Sequence, residues 1–217
     1  DKPTRDFSEV KAMEKKEGFS AMQLGFDSVP SHCDLLVLGE MGISNTTSAS
    51  AISCALFNEP VAHMTGIGTG LNKNQLSKKI EIIKSALKLH GKNFKDPISI
   101  LSCYGGREIA AIAGSVISAR LKSIPVLLDG FICTAAASSL ILFDKMLLDH
   151  CRISHLSSEQ GHAIVLRNLK MEPILDLNLR LGEGSGAAIA SLILRAALAT
   201  HNEMSTFTDA KVTTKIV

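Results

Sequence analysis

Residues 180–186 bring together an arginine, Arg180, and a single carboxylate, Glu183, which stands between Gly182 and Gly184. A run of small residues follows and predicts that a helix begins there. Glycines allow a backbone to approach a ligand closely, and the unpaired N–H groups at a helix start suit a phosphate. The sequence therefore indicates an anion-binding loop with a candidate base. A glycine-rich turn with a solvent-exposed carboxylate is the alternative interpretation.

A second loop, residues 39–47, carries a similar set of groups. It follows the apolar run 34–38, which predicts a buried parallel strand, and precedes a helix-compatible stretch. Glu40 supplies a carboxylate, and a glycine and three helix-capping residues accompany it: Gly42, Ser44, Asn45 and Thr46. An ordinary capped helix start is the alternative. Two glutamates beside phosphate donors suit a glycosyl or phosphoribosyl centre.

Three further groups of charged residues leave two interpretations open. Residues 105–108, Gly-Gly-Arg-Glu, bind an anion or end in a charge pair in the first turn of a surface helix. Lys78 and Lys79 lie on a predicted helix, where one reaches an anion or both are solvated. His155 and His162 are metal ligands or hydrogen-bonding histidines. No carboxylate-rich or cysteine-rich set accompanies the histidines, so the sequence predicts no metal site.

Motifs of several other enzyme classes are missing from the sequence. It has no Gly-x-x-x-x-Gly-Lys loop and no strict Gly-x-Gly-x-x-Gly. Gly182, Gly184 and Ala187 fit a looser form of the second motif, but no clear strand runs directly into them. Gly184 also occupies the centre of 182–186, which rules out a Gly-x-Ser-x-Gly elbow there. The fingerprints of kinases and of dinucleotide-binding enzymes are therefore lacking.

Composition predicts a soluble domain with a packed core. The 217 residues are 46% hydrophobic and 20% charged, enough for one large domain or at most two small ones. A net charge of +2 and an aromatic content of 4% favour neither nucleic acid nor a membrane surface as a partner. The five cysteines form no Cys-x-x-Cys pair, and no signal peptide or spanning stretch is present. We therefore expect a cytoplasmic protein, here a fragment or a processed chain because it begins at Asp1.

Strands and helices alternate along the sequence. Strands are predicted at residues 34–38, 97–103, 124–128, 151–155 and 174–177. Helices are predicted at 8–25 (interrupted by Gly18), 48–57, 72–89 (capped by Asn72), 107–121, 131–142, 186–201, and from a cap at Ser157 or Ser158 to 169. Residues 60–70 are predicted to be a loop. The final helix is apolar nearly all round, so we expect it to be buried.

This alternation predicts an α/β fold with three layers, in which helices cover both faces of a mostly parallel, Rossmann-like sheet. Ligands bind such sheets beyond the carboxyl ends of the strands, where the glycine-bearing loops fall. We expect an N-terminal helical segment at 1–33, the α/β domain at 34–200 and a C-terminal tail at 201–217. The chain ends are expected to form a small helical part.

Six motifs occur in order at residues 39–47, 68–71, 105–110, 129–131, 155–162 and 179–186. They closely resemble the nicotinate-nucleotide:dimethylbenzimidazole phosphoribosyltransferase family, which builds the lower-ligand nucleotide of cobalamin. The resemblance extends to residues 4–7 and 204–207 and so covers essentially the whole chain. Ser44 and Gln160 stand where the family usually has glycine and proline, and Ile67 where it often has arginine.

The resemblance implies transfer of phosphoribose from nicotinate mononucleotide to 5,6-dimethylbenzimidazole, giving α-ribazole 5′-phosphate and nicotinate. It implies no cofactor and no metal. Glu183 is then the catalytic base, and Glu40 and Lys79 are further catalytic residues. The residues expected to bind the substrates are Gly42, Ser44, Asn45, Thr46, Gly105, Gly106, Asp129, Gly130, Arg180, Gly182 and Gly184.

The resemblance also carries expectations about assembly. The family is usually dimeric, which makes residues 8–24 a candidate homodimer interface, and residues 34–200 become the phosphoribosyl-binding domain. Family members have a section upstream of the position of Asp1 that contributes to the benzimidazole pocket. Two alternatives therefore stay open: a non-catalytic homologue that binds the mononucleotide, and a mononucleotide glycohydrolase that uses water as the acceptor.

Overall fold

The computed structural model describes residues 3–68 and 70–213. Residues 1–2 and 214–217 of the predicted terminal segments, and Thr69 of the predicted loop, lie outside the described residues. Within these limits, no helix is long and apolar enough to cross a bilayer.

Four parallel strands form the sheet found in the described chain, in the spatial order β1–β2–β3–β4. They are β1 Leu36–Leu38, β2 Val126–Leu128, β3 Cys151–Ser157 and β4 Pro173–Leu179. Val37 lies opposite Leu127, and Leu127 lies opposite Arg152. The register between β3 and β4 is irregular near His155. The predicted parallel sheet is therefore confirmed, with β3 and β4 longer than expected.

Nine α-helices and two short 3₁₀ turns occur in the described ranges. The helices are α1 Lys15–Ser28, α2 Asn45–Phe57, α3 Val61–Met64, α4 Lys73–His90, α5 Pro97–Tyr104, α6 Arg107–Leu121, α7 Gly130–Ser138, α8 Gln160–Leu169 and α9 Ser185–Glu203; the turns are Ser139–Leu142 and Lys145–Leu148. The predicted bounds of α6 are confirmed. So is the predicted cap of α4, because the Asn72 side chain accepts the N–H of Gln75 at 3.0 Å.

Helices cover both faces of the sheet, as predicted. On one face Leu127 packs with Ala187 and Ala190 of α9. On the other face Leu128 and Ile153 belong to the main core, which includes residues of α2, α5, α6 and α7. Neighbouring strand residues point to opposite faces, which explains the two separate apolar clusters.

The predicted strand at 97–103 is wrong, because these residues form α5. Asp96 caps this helix by accepting the N–H of Ser99 at 2.7 Å, and Pro97 occupies its first turn. Both are helix-start signals. Ile100 and Leu101 are fully buried. A buried helix and a buried strand give the same short apolar run, and here the capping residues decide between them.

The predicted helix at 8–25 begins only at Lys15, after a capping box formed by Glu14 and Glu17. Glycines do not interrupt it. A Cβ at Gly25 would overlap the carbonyl of Ala111 in α6, and one at Gly114 of α6 would overlap that of Met22. Two glycines therefore let α1 and α6 cross in close contact.

Two smaller predictions need correction. The predicted loop at 60–70 contains the short helix α3. The helix α8 is preceded by Glu159, with neither Ser157 nor Ser158 at the capping position. Ser157 instead forms the end of β3, which runs further than its apolar residues suggest.

The expectation that the last helix is buried is also wrong. Only Gly186, Ala187 and Ala190 of α9 are buried, and Leu192 keeps 62% of its surface exposed. Helix α9 crosses its face of the sheet and contacts all four strands. Its inner stripe packs on the strands, and its apolar outer stripe faces solvent.

Candidate active site

A cavity of about 330 Å³ lies at the carboxyl ends of the strands, where the sequence predicts the ligand edge. Loops after all four strands contribute to its wall. Nine residues predicted to act in the site line this cavity: Glu40, Gly42, Asn45, Thr46, Asp129, Gly130, Arg180, Gly182 and Glu183. The other five predicted site residues are not among the lining residues: Ser44, Lys79, Gly105, Gly106 and Gly184.

Glu40 and Glu183 are held together through their main chains. The N–H of Glu183 donates to the carbonyl oxygen of Glu40 at 2.9 Å. Glu183 has a left-handed φ of 59° and an exposed side chain. Its neighbour Gly182, with φ 80°, passes close to the Glu40 carboxylate, since a Cβ there would lie 2.9 Å from Glu40 Oε1. A left-handed backbone at a non-glycine residue is frequent at functional sites.

The Glu40 carboxylate accepts a hydrogen bond from Nδ2 of Asn45, the first residue of α2. The helix thus begins three residues earlier than predicted. Burial raises the pKa of Glu40, the Asn45 bond opposes this, and the charges of Glu108, Asp129 and Glu183 raise the pKa further. The cavity therefore holds one half-buried and one exposed carboxylate.

Asp129 follows β2 and caps the N-terminus of α9. Its Oδ2 accepts the N–H of Gly184 at 3.0 Å, and its Oδ1 accepts the N–H of Ala187 at 2.9 Å. Two N–H groups at this helix start, which the sequence suggested for a phosphate, are thus occupied by a carboxylate. The strand predicted at 174–177 is β4, which runs on to Leu179 and leads directly into this loop.

His155 of β3 lies beside this cap, with Nε2 3.3 Å from Asp129 Oδ1. A Cβ at Gly186 would overlap the ring of His155, so only glycine fits there. Burial alone lowers the pKa of His155, but the Asp129 carboxylate outweighs it and the pKa is raised. Burial alone raises the pKa of Asp129, but His155 and the two N–H donors outweigh it and the pKa is lowered. The two groups therefore favour an ion pair.

His162 is a neutral, hydrogen-bonded residue. Its Nδ1 accepts the N–H of Ser157 at 2.9 Å, and its Nε2 lies 3.1 Å from Oγ1 of Thr134. Burial lowers the pKa of His162 to about 3. The described residues contain no group of histidines, cysteines and carboxylates that could hold a metal ion. Of the two interpretations of this histidine, the hydrogen-bonding one is confirmed.

Lys79 and Arg180 form the cationic part of the site. Lys79 is 5% exposed, and its Nζ donates to Thr46 Oγ1 at 2.9 Å and to the carbonyl of Gly66 at 3.1 Å. Burial lowers the pKa of Lys79, and the charge of Glu159 opposes this. Arg180 donates to the carbonyl of Gly68. A Cβ at Gly68 would lie 3.7 Å from Nζ of Lys79, so both cations meet the same glycine-bearing segment.

The structure keeps the Gly105-Gly106 loop apart from this cavity. The N–H of Gly105 donates to the carbonyl of Leu101 at 2.9 Å and closes α5. Gly106 precedes α6, and Nη2 of Arg107 lies 3.2 Å from a carboxylate oxygen of Glu17 in α1. Arg107 therefore forms a surface charge pair between helices. The exposed Ser44 has a left-handed φ of 76°, and its carbonyl accepts the N–H of Thr47.

Nine further residues without a predicted role in the site also line the cavity. They are Met41, Ile43, Gly68, Phe131, Ile132, His155, Ser157, Glu159 and Leu181. Most are direct neighbours of the glycine motifs, which is the signal that could have found them. Glu159 lies just before α8, is 7% exposed, and its Oε1 is 3.9 Å from Nη2 of Arg180.

Comparison with known proteins places this geometry in a family. A family model described as phosphoribosyltransferase matches residues 1–212. The chain is 48% identical over 212 residues to the nicotinate-nucleotide–dimethylbenzimidazole phosphoribosyltransferase of Ruegeria sp. (strain TM1040), covering 98% of this chain and 62% of that protein. The protein of the same name from Methylocella silvestris is 45% identical, with 100% and 63% covered.

The fold agrees with this assignment. The crystal structure of CobT from Thermus thermophilus is similar with a TM-score of 0.90 and 35% sequence identity, over 98% of this chain and 64% of that one. The chain thus spans less than two thirds of the length of these relatives. On sequence and fold together, the chain belongs to the nicotinate-nucleotide–dimethylbenzimidazole phosphoribosyltransferase family.

Proposed function

We propose that this chain carries the phosphoribosyl-transfer site of such an enzyme, moving phosphoribose from nicotinate mononucleotide to 5,6-dimethylbenzimidazole. The observation that carries the proposal is one cavity whose wall holds Glu40 and Glu183 and also Arg180, with Lys79 directly behind Thr46. A base and two cations at a common ligand edge are what a phosphorylated sugar and a proton-losing acceptor require. The relatives' names support the same reaction.

In the proposed mechanism Arg180 binds the phosphate from the cavity wall, and Lys79 reaches it from behind Thr46 by exchanging its hydrogen bond to that hydroxyl for one to the phosphate. The bond between C1′ and the pyridinium nitrogen breaks, and its electron pair neutralises the departing nicotinate nitrogen. A benzimidazole nitrogen forms the new bond to C1′ from the opposite face, which gives the α-anomer. The proton on the second benzimidazole nitrogen passes to Glu183, so no group has to protonate the leaving group.

Glu40 is proposed as a supporting carboxylate. Its hydrogen bond from Asn45 and its half-buried position fix it near Glu183. A second negative charge close to the base favours proton uptake there and stabilises positive charge on the attacking ring. Gly42, Thr46, Gly130 and Gly182 are proposed to shape the cavity around the mononucleotide.

The proposed roles of five residues differ from direct substrate binding, which the sequence predicts for them: Ser44, Gly105, Gly106, Asp129 and Gly184. Asp129 and Gly184 are engaged with each other, and we propose that they hold the loop of Glu183 in position. Ser44 and the Gly105-Gly106 turn do not line the cavity, so direct substrate contact by them needs a movement of their loops.

A nicotinate-release assay tests the proposed function. The protein is incubated with nicotinate mononucleotide, with and without dimethylbenzimidazole, and released nicotinate is measured. Release only with the acceptor supports the transferase. Release without it means a glycohydrolase, and binding without release means a mononucleotide-binding homologue. The last two outcomes are tested because the chain spans only 62–64% of the length of its relatives.

We propose that the chain forms a homodimer through α1 and works in the cytoplasm. Phe19 and Leu24 of α1 are 58% and 67% exposed, as expected of apolar residues that pack against a second copy. The free thiols of all five cysteines suit a reducing compartment. Light scattering should give twice the chain mass, and Leu24→Glu should reduce it to one chain. If the parent protein itself has the mass of one chain, the proposed dimer is contradicted.

A further inference from the structure

Two residues that line the cavity each carry a buried hydrogen-bond acceptor with no donor among the described residues. They are Oε2 of Glu159 and Oδ1 of Asn45. Each residue is only 7% exposed. Buried polar atoms in folded proteins almost always have a partner, and an unsatisfied acceptor costs stability. Two such atoms in residues of one cavity wall therefore indicate a ligand that brings the missing donors.

Both acceptors are fixed in place by their surroundings. Nδ2 of Asn45 donates to Glu40, a carboxylate, which leaves Oδ1 as the free atom of the amide. Oε2 of Glu159 lies over Gly66, where a Cβ would overlap it. Oε1 of Glu159 is 3.9 Å from Nη2 of Arg180, which is an ion-pair distance but too long for a hydrogen bond. No described residue donates a hydrogen bond to either atom in this arrangement.

The chemistry of these atoms selects the donor. A carboxylate oxygen repels a phosphate, so Glu159 does not add to the phosphate site of Lys79 and Arg180. It accepts from an O–H or N–H group next to that phosphate. Between the phosphate and the base, a ribonucleotide offers two adjacent hydroxyl groups, the 2′- and 3′-hydroxyls of its ribose. Two acceptors and two donors then match in number.

We propose that Glu159 and Asn45 each accept a hydrogen bond from one hydroxyl of the donor's ribose, and that they select ribonucleotides over deoxyribonucleotides. The inference rests on the proposed function for the identity of the donor, but it concerns recognition and not transfer. A site built to bind a hydroxyl rejects the analogue that lacks it, because its buried acceptor is then left unpaired.

The test is equilibrium binding, measured by titration calorimetry, of nicotinate mononucleotide and its 2′-deoxy and 3′-deoxy analogues. We choose to measure binding and not turnover because deoxynucleotides differ from ribonucleotides in the intrinsic reactivity of the bond at C1′. Each deoxy analogue is expected to bind about 10- to 100-fold more weakly than the ribonucleotide. Equal affinity for all three compounds, or no binding of the ribonucleotide, would overturn the inference.

Variants then assign the hydroxyls. Glu159→Ala should weaken binding of the ribonucleotide, so that its affinity becomes close to that of one of the two deoxy analogues. Asn45→Ala should do the same for the other deoxy analogue. If Glu159 only balances the charges of Lys79 and Arg180, its removal changes all three affinities by the same factor and the ratios persist. That result would overturn its assignment. Glu159→Met keeps a side chain of similar length without a strong hydrogen-bond acceptor, and it provides the same test if the alanine variant does not fold.

The exposed Glu172, one residue before β4, offers a matched control, and Glu172→Ala should leave every ratio unchanged. Nicotinate release, measured in parallel, separates this inference from the proposed function. Selective binding without acceptor-dependent release keeps the inference and overturns the transferase. Acceptor-dependent release with equal binding of the three nucleotides does the reverse.

Discussion

The main-chain N–H of Glu183 donates to the main-chain carbonyl of Glu40 at 2.9 Å. The bond joins the loop after β4 to the loop after β1, although β2 and β3 lie between these strands in the sheet. The spacing of the two carboxylates is therefore set by backbone contacts over the edge of the sheet. Side chains positioned by a rigid backbone need less reorganisation when a substrate binds.

Glu183→Gln should leave mononucleotide binding nearly intact and lower acceptor-dependent nicotinate release by about 10² to 10⁴-fold. The amide has the same shape, but it cannot take up the proton that the acceptor loses. Calorimetry and single-turnover release of nicotinate measure the two effects separately. Full turnover in this variant would show that another group is the base.

Lys79→Met should weaken binding of nicotinate mononucleotide by about 10- to 100-fold, because a charge-assisted hydrogen bond to the phosphate is lost. Lys78→Met is the matched control, since Lys78 is the preceding residue of α4 and is exposed. Calorimetric titration distinguishes the two variants. Equal losses at both positions would argue against a specific role for Lys79.

Asp129→Asn should lower the free energy of unfolding by about 1–3 kcal/mol and reduce nicotinate release. Both carboxylate oxygens accept N–H groups, so the amide necessarily turns its own NH₂ towards one of these donors. Urea denaturation measures the loss. Asp176→Asn, at an exposed position of β4, is expected to unfold like the parent protein.

Acidification should destabilise the protein through His162. Its pKa is about 3 in the folded chain and about 6.5 when exposed, so between these values only the unfolded chain binds a proton. Stability therefore falls as the pH falls, by about 1.4 kcal/mol per pH unit from this group. Urea denaturation at pH 6.0 and 4.5 should show a smaller loss for His162→Asn than for the parent protein. The same loss in both proteins would refute this origin.

The ion pair of His155 and Asp129 changes the free energy of unfolding mainly outside the interval from pH 4.5 to 6.0. Because the pKa of His155 is raised, its contribution is complete below about pH 6.5 and is lost as the pH rises through the folded value. Because the pKa of Asp129 is lowered, its contribution is present above about pH 3.8 and is lost as the pH falls through the folded value. The half-buried Glu40 is common to both proteins, so its titration cancels in the comparison.

Local sequence signals predicted the positions of loops and helix caps well, but they predicted poorly which helices and strands are buried. Asn72 and the glycines around Glu183 act on their own neighbours, so short motifs were sufficient. The strand predicted at 97–103 is wrong because an apolar run that is buried on all sides has no period, so only the capping residue Asp96 distinguishes a helix from a strand there. The prediction that α9 is buried is wrong because the exposure of a helix depends on which other elements lie on the same face of the sheet.

The candidate site shows the same division. Glu40, Glu183 and Lys79 stand in recognisable loops or helices, and their catalytic roles stay predictions. Asp129 was expected to bind substrate, and only the folded chain reveals that its oxygens meet the start of α9. Glu159 lies within the motif at 155–162, but the sequence predicts no role for it, because its unpaired carboxylate oxygen is visible only in the folded chain.

The cavity takes its wall from loops that follow all four strands, so no contiguous segment contains it. A chain that lacks the native sheet accordingly has no residual affinity for a mononucleotide, and any ligand of the cavity binds the folded state alone. Such a ligand at 100 times its Kd would raise the free energy of unfolding by about 2.7 kcal/mol. Ligand-induced protection against heat therefore reports on the integrity of the whole sheet, and a screen for thermal shifts doubles as an assay of folding.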